Sequence, residues 1–194
     1  MALVGPSGVG KTTIITALMS SSTDFVRMLP HTSRPPRPYE VEGEDYWFVS
    51  RDEIQAMLAA DPRLKETLVE FDGHQFVIDY NRIEQMLADG KVILMDLYIN
   101  WVQQFKERYD QQMAAVLLLP DDLDVLVDQL SRSRKHDPEF VDKRMAQTAR
   151  EMNIFQNKMK PYFNKVIVLP RSLDMAVAQV RRTITLLTDG VGGR

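Results

Sequence analysis

Glycine, lysine and threonine stand at a fixed spacing near the start of the chain. The pattern G-x-x-x-x-G-K-[ST] found there is typical of a loop that binds the phosphates of a nucleotide. Glycines allow the backbone to curl so that successive N–H groups point at an anion, while the lysine reaches the outer phosphates and the hydroxyl holds Mg²⁺. The pattern therefore predicts binding of Mg-ATP, with these cofactor-binding residues: Gly5, Ser7, Gly8, Val9, Gly10, Lys11, Thr12 and Thr13.

Charged side chains elsewhere in the chain are further candidates for chemistry. Asp96 directly follows the continuous apolar run 92–95, which is typical of a buried parallel strand, and so would lie at the carboxyl end of that strand. Arg34 and Arg37 lie three residues apart in a stretch with prolines at 35, 36 and 38, which cannot continue a helix. Taken alone, the two arginines fit either a phosphate-binding loop or a solvated surface loop.

Strands alternating with helices would position these residues. The sequence predicts strands at 2–4, 92–95, 114–119 and 165–169. Helical patterns cover 13–19, 51–60, 81–88, a segment ending near 108, a segment from 120 into 131–137, then 138–158 and 173–187. This alternation is typical of an α/β fold with a parallel, doubly wound sheet. We expect residues 189–194 to form a frayed tail.

Residues 30 to 90 differ in character and predict an inserted mixed lobe. An extended proline-rich loop leads to a short strand at 46–49, and Ser50 to Glu53 read as a capping box that opens a helix. The segments 68–71 and 75–78 flank Asp72-Gly73-His74 and predict a hairpin. We therefore expect one domain over 1–194, with a core of 1–29 and 91–194 and a lobe of about 30–90.

Composition excludes several classes of function. The net charge is −3 and the pI is near 5.7, whereas a nucleic-acid-binding surface needs a basic excess. The chain has no cysteine, and its three histidines, at 31, 74 and 136, lack metal-ligand spacing. No apolar run approaches the roughly 18 residues of a membrane span, and no signal peptide is evident. We expect a cytoplasmic protein that binds no nucleic acid and does not insert into a membrane.

Four segments together resemble the guanylate kinase family, over nearly the whole chain. They are the loop GPSGVGKTT, the segment HTSRPPRPYEVEGEDYWFVS, the strand ILMD, and the arginine-bearing stretch at about 132–144. The second is the most specific, because its order T-x-R-x-x-R-x-x-E-x-x-G-x-D-Y is unusual. The resemblance implies a P-loop nucleoside-monophosphate-kinase fold, with a helical lid at about 131–141 and the lobe binding the monophosphate. It also implies transfer of the γ-phosphoryl group of ATP to GMP.

The resemblance assigns roles to individual side chains. Thr12 and Asp96 would organise Mg²⁺, although Asp96 also fits a structural strand-end carboxylate. The implied catalytic residues are Lys11, Arg34 and the lid or hinge arginines Arg132, Arg134 and Arg144. A solvated helix end is the alternative for Arg132 and Arg134. The implied substrate-binding residues are Arg34, Arg37, Glu40, Tyr46, Glu66, Phe76 and Tyr98. Arginine suits the phosphate contacts because its planar guanidinium gives two-pronged donors.

Most departures from the family pattern cluster on the acceptor side of the site. Pro30 stands where the family has a serine that faces guanine, and Thr67 stands near a base-binding glutamate, which Glu66 could replace only with a one-residue slip. Phe76-Val77-Ile78 replaces Y-G-[ST], so we expect Ile78 to place an apolar surface where the family has a hydroxyl. The remaining departures are Tyr98 in place of an acidic residue, Trp101 in place of a glycine, and Leu169 in place of an asparagine near the ATP base. Each lost hydrogen-bond partner costs about 1–3 kcal/mol. The sequence therefore predicts weakened guanine recognition.

Two hypotheses remain open at this point. In the first, the chain is an ATP-dependent kinase whose acceptor is a GMP-like nucleoside monophosphate. In the second, it resembles the domain of membrane-associated guanylate kinase scaffolds, which has lost the kinase reaction and binds a phosphopeptide or partner protein in the old GMP groove. The complete phosphate loop favours the kinase, and the altered acceptor side favours the scaffold. Flanking domains in a longer protein would fit either hypothesis.

Overall fold

The computed structural model describes residues 1–6, 8–122, 124, 126–127, 138–170 and 172–189. The strands are β1 (Ala2–Val4), β2 (Phe25–Arg27), β3 (His31–Thr32), β4 (Trp47–Phe48), β5 (Val69–Phe71), β6 (His74–Val77), β7 (Val92–Asp96), β8 (Ala115–Pro120) and β9 (Lys165–Leu169). The helices are α1 (Lys11–Met19), α2 (Arg51–Ala60), α3 (Tyr80–Ala88), α4 (Ile99–Tyr109), α5 (Pro138–Ile154) and α6 (Leu173–Asp189).

The chain divides into two compact units. We call Met1–Thr23 together with Leu94–Arg194 the core unit, and Asp24–Ile93 the inserted unit. The boundary falls inside β7. The fold predicted from sequence, α/β with a parallel central sheet, is confirmed, and the inserted unit carries a second, mixed sheet.

The core sheet places β1 between two parallel neighbours. Leu3 pairs with Asp96 on β7 and with Val116 on β8, and β8 pairs in parallel with β9. Strand β2 follows β7 at the edge of the sheet. Because parallel strands end at the same edge, this order brings the end of β1 beside Asp96 at the end of β7.

Helix α1 anchors the segment that follows β1. Its residues Ile14, Ile15 and Leu18 are buried, while Thr12 and Thr16 are exposed, so the helix turns one apolar stripe inward. Burying such an aliphatic side chain is worth about 1.5–3 kcal/mol. The anchored helix fixes where the loop between β1 and α1 begins and ends.

The inserted unit is built on the strand order β4-β3-β6-β5. Strand β3 runs parallel to β4 and antiparallel to β6, and β6 forms a hairpin with β5 in which Phe71 pairs with His74. Asp72 and Gly73 form the turn with φ of 51° and 72°, the positive angles that a tight hairpin turn requires. The predicted hairpin is confirmed.

The predicted capping box at the start of α2 is also confirmed. The Ser50 hydroxyl accepts from the Glu53 N–H at 3.1 Å, and the Glu53 carboxylate accepts from the Ser50 N–H at 2.7 Å. Both bonds satisfy backbone donors that a helix start otherwise leaves unpaired.

Several elements differ from the sequence prediction. The two-residue strand β3 lies where an extended loop was expected, and β2 and a 3₁₀ turn at Pro62–Glu66 were not foreseen. Helix α5 ends at Ile154 and continues as a π-helical turn, Phe155–Met159, rather than as regular helix to 158. The two strands depend on pairing partners elsewhere in the chain, and all of these elements are too short to carry a periodic pattern.

Some predictions fall outside the described residues. They are most of the helix expected from 120 into 131–137, the lid through residue 137, and the tail from 190. Among the described residues, no helix is both long enough and apolar enough to cross a membrane.

Candidate phosphate-binding sites

The loop between β1 and α1 has the backbone that an anion cradle needs. Gly5, Gly8 and Gly10 have φ of 156°, 85° and 101°, and the last two lie in the left-handed region that favours glycine. A Cβ on Gly5 would lie 2.4 Å from the Leu118 carbonyl oxygen, so β8 leaves no room there for a side chain. The predicted glycines are therefore required by the fold of the loop.

The amino end of α1 opens directly onto this loop. Gly10 is the N-cap residue, has left-handed backbone angles and supplies no side-chain cap. Among the described residues, no side-chain cap binds the N–H groups of the first turn, and the helix dipole adds positive potential at the same place. Val9 is buried, whereas Thr12 and Thr13 are exposed at this end. Ser7 lies outside the described residues.

The Lys11 ammonium group lies within the curl of the loop. Its Nζ donates to the Gly5 carbonyl oxygen at 2.7 Å and to the Pro6 carbonyl oxygen at 3.0 Å. It also lies 3.6 Å from Asp96 Oδ1, with the side chains 11% and 33% exposed. The sheet order thus brings together two residues 85 positions apart that the sequence marked separately.

Mg-ATP fits the donor set of this loop. The backbone cradle, the Lys11 ammonium and the amino end of α1 suit polyphosphate, and the Thr12 hydroxyl and Asp96 carboxylate offer the oxygen ligands that Mg²⁺ prefers. Magnesium usually keeps several waters and takes only one or two carboxylates from a protein. Thr12 and Asp96 are therefore the residues that would hold the metal, as the sequence predicts.

A small pocket behind the loop involves residues that the sequence analysis missed. It is lined by Gly5 and Pro6 of the loop, by Thr148 and Glu151 of α5, and by Phe155 at the start of the π-helical turn. Thr148 is 4% exposed. The spacing of three and four residues on one helix face was a usable signal. These side chains share the lining of the pocket with the loop.

In the inserted unit, Arg34 and Glu40 form a two-pronged ion pair. The Arg34 Nη1 and Nη2 atoms each lie 2.9 Å from a different oxygen of the Glu40 carboxylate. Glu40 is only 6% exposed and Arg34 is 12% exposed. Such paired, charge-assisted bonds set the orientation of the guanidinium as well as its position.

Neighbouring contacts hold the rest of this loop. The Arg37 backbone N–H donates to Glu40 Oε2 at 2.8 Å, and Arg37 Nη1 donates to Oε1 at 3.3 Å. The Arg34 backbone N–H donates to the hydroxyl of fully buried Thr32 at 3.1 Å. Glu40, predicted to contact substrate, therefore lies beneath both arginines as their shared anchor.

Two N–H donors of the Arg34 guanidinium remain for a ligand. A guanidinium has five N–H donors. Two of them bind Glu40, and Nη1 also donates to the Pro35 carbonyl oxygen at 2.9 Å. Within the described part of the chain, Nε–H and the second Nη2 hydrogen make no hydrogen bond. These two donors lie side by side, which is the arrangement that binds two oxygens of one phosphate.

Aromatic rings surround the Arg34 guanidinium. Its central carbon lies 5.4 Å from the Tyr46 ring centre and 5.8 Å from that of Phe48. Tyr46 also packs against Phe48 at 5.8 Å and edge-on against Phe76 at 6.1 Å. Phe76, predicted to contact substrate, is 3% exposed and packs behind Tyr46.

The electrostatics of Glu40 give a pH prediction. Burial alone would raise the pKa of its carboxyl, but hydrogen bonds from the Arg34 guanidinium and the Arg37 N–H bring that pKa below its ordinary value. A depressed folded-state pKa contributes stability above the unfolded-state pKa, and this contribution is lost as pH falls through the folded-state value.

We therefore expect Glu40→Gln to lower the free energy of unfolding by about 1.5–3 kcal/mol at neutral pH, since charged hydrogen bonds are lost. The gap between the variant and the unmodified chain should stay constant from about pH 6 to 8 and close below about pH 4. Urea unfolding across pH checks this. A gap that is equally large at acid pH would refute the role of the Glu40 charge.

Residues near the expected base site make internal contacts instead. The fully buried Thr67 hydroxyl lies 2.8 Å from the Ile78 carbonyl oxygen and accepts from the Ile78 N–H at 3.1 Å. Ile78 is 1% exposed, so our expectation of an apolar surface at this position was wrong. Glu66 is exposed, and its carboxylate accepts from the Tyr80 hydroxyl at 3.1 Å.

Tyr98 and Trp101 form an aromatic pair in the core unit. Tyr98 is the N-cap residue of α4, and its ring meets that of Trp101 edge-on at 5.4 Å. Trp101 is 1% exposed, which explains why a large side chain is accommodated where the resemblance implies a glycine. Of the predicted lid residues, Arg132, Arg134 and the side chain of Arg144 lie outside the described residues.

Comparisons with known proteins agree with this geometry. The family model for guanylate kinase matches residues 1–186. The chain is 33% identical over 150 residues to a guanylate kinase of Thermosynechococcus vestitus, covering 77% of each chain. It is 34% identical over 151 residues to that of Escherichia coli strain K12, covering 76% of this chain and 71% of the relative.

A crystal structure of guanylate kinase from Anaplasma phagocytophilum has the same fold. It superposes with a TM-score of 0.71 at 18% identity, covering 95% of this chain and 83% of the other. With a complete phosphate loop in the core unit, an anchored arginine fork in the inserted unit, and a sequence match along nearly the whole length, the chain belongs to the guanylate kinase family.

Proposed function

We propose that this chain is a kinase that transfers the γ-phosphoryl group of ATP to the phosphate of a nucleoside monophosphate. The observation that carries the proposal is a pair of cationic groups held by acidic partners, Lys11 beside Asp96 and Arg34 on Glu40, each suited to bind phosphate. The named activity of the relatives, guanylate kinase, supports this assignment. Lys11 would hold the donor phosphates, and Arg34, Arg37 and Tyr46 would hold the acceptor.

Phosphoryl transfer requires mainly that the two substrates are positioned and that negative charge is neutralised. An oxygen of the acceptor phosphate forms a bond to the γ-phosphorus, the bond from that phosphorus to the β,γ-bridging oxygen breaks, and ADP leaves. Positioned cations neutralise the charge on the moving group. Mg²⁺, when bound, would supply part of that neutralisation. Arg132, Arg134 and Arg144 are proposed to contribute the remainder from the lid.

We further propose that the site discriminates only weakly between the bases of different nucleoside monophosphates. The Thr67 hydroxyl is committed to the Ile78 backbone, and Ile78 and Phe76 carry no polar group. Pro30 has no side-chain donor, and its carbonyl oxygen accepts from the Trp47 N–H at 3.0 Å. A ligand held mainly through its phosphate should bind with little regard for the attached base.

This proposal predicts that GMP and AMP affinities differ by less than about tenfold, or about 1.4 kcal/mol. Calorimetric titration of each nucleotide measures the affinities, and a coupled assay of ADP release with each acceptor measures turnover, which we expect to be slow with GMP. Arg34→Ala should weaken both nucleotides alike, because the fork contacts only phosphate.

Brisk turnover that is selective for GMP would contradict weak base reading and would point to Glu66 as the group that reads guanine. No ADP release with any nucleoside monophosphate, together with tight binding of a phosphoserine peptide, would overturn the kinase in favour of the scaffold. The complete donor loop is the observation that favours the kinase.

A further inference from the structure

Phe48 contacts the acceptor-phosphate site described above without being able to bind phosphate itself. Its ring centre lies 5.8 Å from the guanidinium carbon of Arg34 and 5.8 Å from the ring of Tyr46. The side chain has no hydrogen-bonding group, so any part it takes in ligand binding must act through these two neighbours.

The backbone links Phe48 to Arg34 by a second route. Phe48 pairs with Thr32 across the parallel strands β4 and β3, and the Thr32 hydroxyl accepts the Arg34 N–H. The Phe48 N–H donates to Glu42 Oε2 at 2.9 Å. The backbones of Phe48 and Arg34 are therefore both held against the same short piece of sheet.

The ion pair with Glu40 does not by itself hold the guanidinium still. An end-on fork fixes one edge of the planar group, while the plane can still tilt about that edge. Aromatic rings beside a guanidinium oppose such tilting, because cation–π attraction favours the cation near the ring face. The rings of Tyr46 and Phe48 are placed to supply this restraint, in addition to the bond from Nη1 to the Pro35 carbonyl oxygen.

We propose that Phe48 is a positioning residue of the acceptor site, which with Tyr46 keeps the Arg34 guanidinium oriented so that Nε–H and the remaining Nη2 hydrogen face the acceptor phosphate. This inference rests on the proposed function for its ligand. The orientation of Arg34 on Glu40 that it requires is a property of the ligand-free chain and can be measured separately.

The test compares Phe48→Leu, Phe48→Tyr and Trp47→Leu with the unmodified chain. Trp47 is the matched control, because it neighbours Phe48 on β4 but contacts a different arginine, with the Arg82 guanidinium carbon 4.3 Å from its ring centre. The probes are GMP and AMP in calorimetric titration, and carbon-detected NMR titration of the Glu40 carboxyl without nucleotide.

Phe48→Leu should weaken both nucleotides about 5-fold to 10-fold, the range expected when a cation–π restraint is lost, and should move the Glu40 titration towards higher pH. Phe48→Tyr, which retains an aromatic ring, should stay within about twofold of the unmodified chain. Trp47→Leu should lower the melting temperature while changing neither nucleotide affinity nor the Glu40 titration.

Unchanged affinity and unchanged Glu40 titration in Phe48→Leu would overturn the proposal, as would equal losses in Phe48→Leu and Trp47→Leu. If the unmodified chain binds neither nucleotide, the proposed function fails, but the Glu40 titration still decides the positioning role. A shift in that titration, rescued by tyrosine, supports it, and no shift rejects it.

Discussion

Replacing Lys11 with alanine is expected to weaken Mg-ATP binding by roughly 10-fold to 150-fold, the equivalent of about 1.5–3 kcal/mol for a charged hydrogen bond. Phosphoryl transfer should fall at least as far, because a positioned cation also stabilises the negative charge that develops in the transition state. The cause is the loss of the ammonium that lies between the loop carbonyls and Asp96. Calorimetry with Mg-ATP and an ADP-release assay measure the two effects.

A matched control separates this effect from a general loss of positive charge. Lys158 is exposed on the π-helical turn and is not part of the loop, so Lys158→Ala should bind Mg-ATP as the unmodified chain does. Unchanged Mg-ATP affinity in Lys11→Ala would contradict the assignment of this loop as the ATP-binding site. No thermal stabilisation of the unmodified chain by Mg-ATP would reject nucleotide binding altogether.

Arg34→Ala should have the largest effect on the inserted unit, lowering both stability and acceptor binding. Removing one partner of a buried ion pair costs about 3–5 kcal/mol. Because Arg37 still donates to Glu40, we expect the free energy of unfolding to fall by about 3 kcal/mol, the lower end of that range. In a chain of this size, that corresponds to a fall in melting temperature of roughly 6–12 °C.

The affinity of the folded Arg34→Ala protein for GMP and AMP should also fall, since the two remaining guanidinium donors are lost. Arg51→Ala is the matched control: Arg51 and its partner Glu70 are 54% and 59% exposed, and an exposed pair contributes only about 0–1 kcal/mol. Thermal unfolding and calorimetry on both variants check this. Equal melting temperatures for the two variants would contradict the assigned importance of the Glu40 ion pair.

The two sites in these predictions could be predicted from the sequence to different extents. The loop between β1 and α1 could be predicted from the sequence, because its residues are contiguous and match one motif. The capping box at Ser50 and Glu53 and the Asp72-Gly73 turn were predictable for the same reason. Their hydrogen bonds and backbone angles involve residues within a few positions of each other. Only the tertiary structure shows that the Leu118 carbonyl oxygen on β8 leaves no room for a side chain at Gly5.

The acceptor side was predictable in residue type but not in role. The sequence marked Glu40 and Phe76 as substrate contacts, yet Glu40 anchors two arginines and Phe76 packs behind Tyr46. Which atoms of Arg34 remain available to a ligand depends on what its other donors bind. Those bonds are set by the tertiary structure.

Contacts between distant segments decided the features that the sequence did not predict. Strand β3 has only two residues, which is too few for a periodic signal, and it exists because β4 and β6 lie on either side of it. Ile78 was expected to present a surface, but Thr67, eleven residues earlier, binds its backbone and the side chain is buried. Contiguous motifs carry their own physical requirements, whereas burial and donor commitment are set by neighbours that the order of residues does not identify.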